Sequence, residues 1–280
     1  MGKLNNYFPL QKTALPGEEV RFDFWDRRRY SCAMEAAKYH AHYCLQSKWL
    51  APSRRYLYRK IGMAHHERIL DFGCGSGVIA EEIREICGRP VLGVDRDPAM
   101  AAFAEKEYPR NRFLAADENE LLKQGLCFDL IVLSFVLMWQ AKPLHFLQKI
   151  KKLLSKKGTL LILAEPDYGG RIDFPDELYF LKEIFTSHII SQQGDPFIGR
   201  KLKTLLLKSG WQTEVGLASH LNFPETYDPN IWENEWRFWQ KLAGLSDQTI
   251  KKIIRLEKNA ARYHQRLVLF PVFYAIARAD

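Results

Sequence analysis

The chain has 280 residues, 47% of them hydrophobic and 26% charged, which is enough to bury the core of one large α/β domain. No apolar run reaches the roughly 18 residues of a membrane span, and Met1-Gly2-Lys3-Leu4-Asn5-Asn6 is too polar for a signal peptide, so a cytoplasmic protein without a membrane span is expected. The formal charge of +8 and a pI near 9.1 admit nucleic acid, but the basic residues are dispersed over what read as outer helix faces, where lysine is ordinarily solvated surface, so nucleic acid is not favoured. The five cysteines (Cys32, Cys44, Cys74, Cys87, Cys127) form no C-x-x-C pair and suggest neither zinc nor a disulfide framework.

Residues 1–62 are rich in aromatic side chains (Phe22, Trp25, Tyr39, Tyr43, Trp49) and read as a helical segment outside the core, placed to act as a lid. From residue 65 to about 165 strand and helix periodicities alternate: strands at 68–72, 91–95, 112–115, 128–133 and 159–164, helices near 77–87, 98–108, 118–124 and 143–155. That alternation predicts a doubly wound, mainly parallel sheet of about seven strands with helices on both faces. Asp97-Pro98 caps the second helix and Lys157-Gly158 is read as the end of the fourth. Helices are expected at 176–193 and 196–209, then a strand near 211–217, a helical insertion at about 220–266 and a last strand at 272–277. Within the insertion, Trp232, Trp236 and Trp239 share one helical face and read as a packing stripe.

The informative stretch is Ile69-Leu70-Asp71-Phe72-Gly73-Cys74-Gly75-Ser76-Gly77, an apolar strand running into three glycines at alternate positions. Glycine accepts the required turn conformations and lets a nucleotide-like ligand pass against bare main chain, beside the free N–H groups of the next helix. A dinucleotide turn has the spacing G-x-G-x-x-G; here an acid precedes G-x-G-x-G, and a carboxylate there repels a pyrophosphate but suits a ligand carrying an ammonium and a sulfonium. An acid at the end of the second strand, Asp95, is placed for ribose hydroxyls.

On these residues the chain resembles the class I methyltransferases that use S-adenosylmethionine, small-molecule type, whose first motif reads Asp/Glu-x-Gly-x-Gly-x-Gly. The resemblance covers roughly residues 65–165 and runs in order through Asp95, Asp117 and the strands at 128–133 and 159–164. It implies that Asp71, Gly73, Cys74, Gly75 and Gly77 hold the methionine part of the cofactor, that Asp95 with Arg96 serves the ribose, that Asp117 with Glu118 serves the adenine, and that Met100 and Ser134 line the same crevice, with Met100 equally read as a core residue. Asp117 is equally read as a helix cap. Ser134-Phe135-Val136-Leu137-Met138-Trp139 lacks the prolines of the turn that holds exocyclic base amines, which points instead to a small-molecule acceptor with an O, N or C nucleophile. Competing readings are a tRNA or protein side-chain acceptor, or a cofactor-binding protein without transfer.

For a proton acceptor the candidates are Glu165 and Asp167, just past the fifth strand, with Tyr168, and with His188 and His220 less well placed. No metal-ligand spacing such as His-x-x-x-His occurs there, so transfer without a metal is expected.

Overall fold

The computed structural model describes residues 33–218, 221–222 and 228–279. The aromatic residues Phe22 and Trp25, Cys32, most of the expected lid and His220 lie outside the described residues. The described chain begins with helices α1 (Ala33–Trp49) and α2 (Ala51–Ile61) and then enters strand β1 (Ile69–Phe72). Helix α3 (Val78–Cys87), β2 (Leu92–Asp95), α4 (Pro98–Glu107), β3 (Arg112–Ala115), α5 (Glu118–Lys123), β4 (Phe128–Ser134), α6 (Pro143–Lys152) and β5 (Leu154–Pro166) continue the alternation. Next come β6 (Ile172–Phe174), α7 (Leu181–Ser191), α8 (Ile198–Lys208), β7 (Trp211–Leu217), β8 (Leu221–Asn222), α9 (Pro229–Ala243), α10 (Asp247–Arg262), β9 (Leu267–Leu269) and β10 (Val272–Ala279).

Seven strands form one sheet in the order β3-β2-β1-β4-β5-β10-β7, with β10 antiparallel to both its neighbours and the first five strands parallel. Alternate residues of its central strands feed two cores. Leu70, Ile131, Leu133, Leu160 and Ile162 pack toward α6 and α8, while Ile69, Leu130, Val132, Leu161 and Leu163 pack toward α2 and α3. Both faces are therefore apolar, the condition for a parallel sheet covered on each side. Helix α2 is held to α3 by the Arg54 guanidinium, which donates to Glu82 at 3.1 and 2.6 Å.

Three expectations change. The fourth helix ends at Lys152, and Leu154 already pairs with Phe128, so Lys157-Gly158 lies inside β5 as an irregularity and not as a helix stop. The helix expected at 176–193 is a short turn over Asp176–Leu178 followed by α7. A second, three-stranded antiparallel sheet, β6-β9-β8, was not expected.

This small sheet is anchored by buried charge. Arg266, 2% exposed, donates to Glu257 at 2.7 and 3.0 Å and to Asp173 at 2.8 Å, and Asp173 also receives Arg171 at 2.6 and 2.9 Å. Two arginines and two carboxylates thus neutralise each other in a site closed to water. Removing one member strands charge there, so Arg266→Ala is expected to lower unfolding free energy by about 3–5 kcal/mol in chemical denaturation. A loss below about 1 kcal/mol would show that the network is dispensable.

Candidate functional site

In an open parallel sheet the crevice lies beyond the carboxyl ends of the strands, and here the chain turns sharply where β1 ends. Gly73, Gly75 and Gly77 have φ of 74°, 52° and 86°, values that side chains with a Cβ rarely adopt. The N–H groups of Gly73 and Cys74 donate to the Val94 carbonyl at 2.7 and 3.0 Å. Asp95 then closes the turn: one carboxylate oxygen accepts from the Gly75 N–H at 2.8 Å, the other from the Asp97 N–H at 2.9 Å. Helix α3 starts at Gly77 without a side-chain cap, so its first N–H groups face the turn.

Asp71 is 1% exposed, and its Oδ2 has no hydrogen-bond partner among the described residues. Burial, and then the charge of Asp95, pushes its carboxyl up to about 7. Burial likewise raises the Cys74 thiol well above its ordinary value, which makes it a space-filling residue and no nucleophile.

The other expected residues differ in burial and in the partners of their side chains. Met100 is buried on α4, Ser134 is half-buried at the end of β4, and Arg96 is exposed. Asp97 caps α4 by accepting from Ala99 N–H at 2.9 Å, which leaves Asp95 free of that task. Asp117 forms a capping box with Glu120 on α5 and accepts from Asn119 and Glu120 N–H at 2.8 and 2.9 Å. Glu118 pairs with Lys149 at 3.0 Å.

The acids and the tyrosine after β5 are also committed. Glu165 is fully buried and accepts from the N–H groups of Val136, Leu137 and Met138 at 3.0, 2.8 and 3.2 Å, so it caps the turn that follows β4. Asp167 forms a two-pronged pair with Arg200 at 2.7 Å on both oxygens. Tyr168 is buried between Phe185 and Phe270, and its hydroxyl is pushed up to about 12 by burial. His188 is lowered to about 4 by burial. Glu165, Asp167 and Tyr168 are thus engaged by backbone N–H groups, by Arg200 and by aromatic packing within the fold.

Helix α1 supplies what the sequence pattern missed. It crosses the carboxyl edge of the sheet, and Tyr43 lies on the glycine turn, so that a Cβ on Gly75 would meet its ring at 3.0 Å. His40 Nδ1 is 3.0 Å from Ser76 Oγ in the same turn. On the far side His42 meets Glu235 of α9 at 3.0 Å. The tryptophan stripe packs as expected: Trp236 is buried against Phe185, and Trp239 lies edge-on to the same ring with centroids 4.6 Å apart. Only the Tyr39, Tyr43 spacing on one helical face hinted at the role of α1; nothing local marked His40, His42 or Glu235.

Residues 70–162 match the family model described as a methyltransferase domain. This segment is a methyltransferase domain. Over 131 residues the chain is 30% identical to the ribosomal protein L11 methyltransferase of Vibrio vulnificus, a match covering 44% of this chain and 41% of that one. Over 120 residues it is 26% identical to the demethylmenaquinone methyltransferase of Thermotoga maritima, covering 42% and 51%. The chain thus spans about half or less of the length of these curated relatives. A SAM-dependent methyltransferase structure from Archaeoglobus fulgidus shares the fold, with a TM-score of 0.51 at 19% identity over 85% of this chain and 99% of that one.

The Glu165 cap makes a pH prediction. Its carboxyl is raised from 4.5 to about 7 because burial outweighs three N–H donors. A raised acid favours the native state while protonated, so its contribution is complete below about pH 4.5 and is lost as pH rises through about 7. Glu165→Gln should remove that fall in stability, whose slope is at most about 1.4 kcal/mol for each pH unit crossed. Asp71 titrates in the same range, so the quantity to measure is the difference between the wild-type and Glu165→Gln stability curves; identical curves would show that Glu165 stays ionised.

Proposed function

We propose that the chain transfers a methyl group from S-adenosylmethionine to a nucleophilic O, N or C atom of a small-molecule acceptor. The observation that carries this reading is the buried, unpartnered Oδ2 of Asp71 beside a turn of three glycines with positive φ. The buried Asp71 and the half-buried Asp95 favour a ligand bearing an ammonium or sulfonium and disfavour a pyrophosphate. Each Asp95 oxygen accepts a single backbone N–H, and a carboxylate oxygen has a second lone pair to offer a ribose hydroxyl.

The cofactor supplies an electrophilic methyl on a sulfonium, so the chain has to hold, orient and exclude water. Asp71, Gly73, Cys74, Gly75 and Gly77 would hold the methionine end and Asp95 the ribose. Met100 and Ser134 would line the crevice, with Asp117, already a cap, at the adenine end. Helix α1 would cover them, and α7 and α9 would bound the acceptor. The thiols of Cys44, Cys74, Cys87 and Cys127 are all free, which suits a reducing compartment such as the cytoplasm. No helix among the described residues is long and apolar enough to cross a membrane.

The test is calorimetry with S-adenosylhomocysteine and NAD, followed by mass spectrometry of compounds that co-purify, seeking one that gains a CH₂ unit when S-adenosylmethionine is added. Binding of S-adenosylhomocysteine without binding of NAD is expected. Asp95→Ala should weaken that binding by about 1.5–3 kcal/mol, the range for hydrogen bonds to a charged group. It should also lower stability, because the Gly75 and Asp97 N–H groups lose their acceptor. NAD binding with no response to S-adenosylhomocysteine would overturn the assignment.

A further inference from the structure

We infer that His42, held by Glu235, is the group that removes the proton from the methyl acceptor; this rests on the methyl-transfer reading above. The two residues come from helices 193 positions apart in the chain and meet at 3.0 Å, both nearly closed to solvent. A carboxylate only accepts, so His42 Nδ1 carries the proton and donates it to Glu235 Oε2. The second oxygen, Oε1, accepts from Trp239 Nε1 at 3.0 Å, so Glu235 is fixed at both ends. The ring is fixed as well, stacked on Phe238 with centroids 4.1 Å apart and 11° between planes, with Trp49 and Trp239 edge-on. His42 Nε2 is left as a basic nitrogen without a hydrogen-bond partner among the described residues. A base oriented by a carboxylate through its other nitrogen is the arrangement that activates nucleophiles on unrelated folds.

Elimination leads to the same residue. Around the carboxyl edge Glu165 is used by three backbone N–H groups, Asp167 by Arg200, and His40 by Ser76 and Cys44. Position agrees too: the next residue, Tyr43, lies on Gly75 of the glycine turn, and Trp239 contacts Phe185, which in turn contacts Tyr168 just past β5. The pair is therefore linked through Tyr43 to the glycine turn and through Trp239 to the rings beside β5. The charged group in contact with His42 is Glu235 from α9; Tyr39 and Tyr43 are its titratable neighbours on α1, and His188 of α7 lies behind Trp239.

The acceptor class follows. An aromatic wall with a fixed imidazole suits a planar acceptor presenting a neutral O–H, such as a phenol, which is a poor nucleophile until it loses its proton. As the oxygen forms its bond to the methyl carbon, the O–H proton passes to Nε2 and the electron pair of the broken S–C bond stays on the sulfur of the sulfonium donor. The imidazolium so formed is stabilised by Glu235 and returns its proton to water.

One test needs no acceptor. Diethyl pyrocarbonate acylates unprotonated imidazole nitrogen, and peptide mapping of the full chain should find His42 modified, with reaction slowed when S-adenosylhomocysteine closes the crevice and altered in Glu235→Gln. A second uses a phenol that gains a CH₂ unit in the screen described above. His42→Gln should bind S-adenosylhomocysteine within about twofold of wild type yet lose about 10²–10⁴-fold in kcat, the range for general-base catalysis. His42→Gly should recover part of that loss on adding imidazole, which a structural role would not allow. Methylation confined to acceptors without an ionisable hydrogen, an unreactive His42 while other histidines are acylated, or a His42→Gln variant with unchanged kcat would each overturn the assignment. Failure of wild type to bind S-adenosylhomocysteine would instead defeat the methyl-transfer reading itself.

Discussion

The hydrogen bond from Gly75 N–H to the Asp95 carboxylate is the tie on which the rest of the site hangs. Parallel pairing sets Asp71 opposite Gly93 and Phe72 opposite Val94, so the residue after Val94 stands beside the chain as it leaves β1. The turn must then fold back over that carboxylate, which only a run of positive φ allows, and three glycines supply it. Gly93 has a different reason to be glycine: a Cβ there would lie 2.4 Å from the Phe113 ring and 3.0 Å from Cys74 Sγ. The second strand has to be bare at that point because the third strand and the turn meet over it. Strand register, turn shape and carboxylate position are therefore one arrangement, and none can shift alone.

That arrangement places the half-buried Asp95 beside Asp71, which is nearly closed to water, and the cost shows in the titration of Asp71, raised first by burial and then by Asp95. A charge held under those conditions is tolerated where something positive offsets it. Elsewhere in the fold the chain provides that partner itself, as at Asp173 between Arg171 and Arg266. At Asp71 no basic side chain is placed in hydrogen-bond contact among the described residues, and the acid instead stands at a turn of bare main chain. Glu165 is a third case, equally buried but held by three backbone N–H groups, so Asp71 is set apart by an oxygen that no described group meets.

The sheet and the glycine turn were legible in the sequence because their determinants are local: period-two apolar runs, glycines within five residues of one another, a proline after a capping acid. What was not legible depends on the long-range register. Glu165 and Asp167 stand at the right end of the fifth strand, but whether they face an open crevice or the N–H groups of Val136 to Met138 and the fork of Arg200 is decided by segments 27 to 33 residues away. The small sheet was missed because its strands have two or three residues, too short to show a period, and because its stability comes from the Arg266 network and not from an apolar face. Lys157-Gly158 misled because a lysine with positive φ before glycine serves a strand irregularity as well as a helix end.

Helix α1 joins these parts. Within four residues it reaches Ser76 through His40, Gly75 through Tyr43 and Glu235 through His42, since successive side chains on a helix point about 100° apart and so meet different walls. A single turn of helix thus spans from the glycine turn to the late-chain helices. If α1 moved, it would have to release the glycine turn and the late-chain helix α9 together, because the contacts lie on one rigid element. The two halves of the proposed reaction, holding the donor and positioning the acceptor, are for that reason mechanically linked in this fold. A helix added before the first strand is a more economical way to couple them than a loop, whose separate contacts could open one at a time.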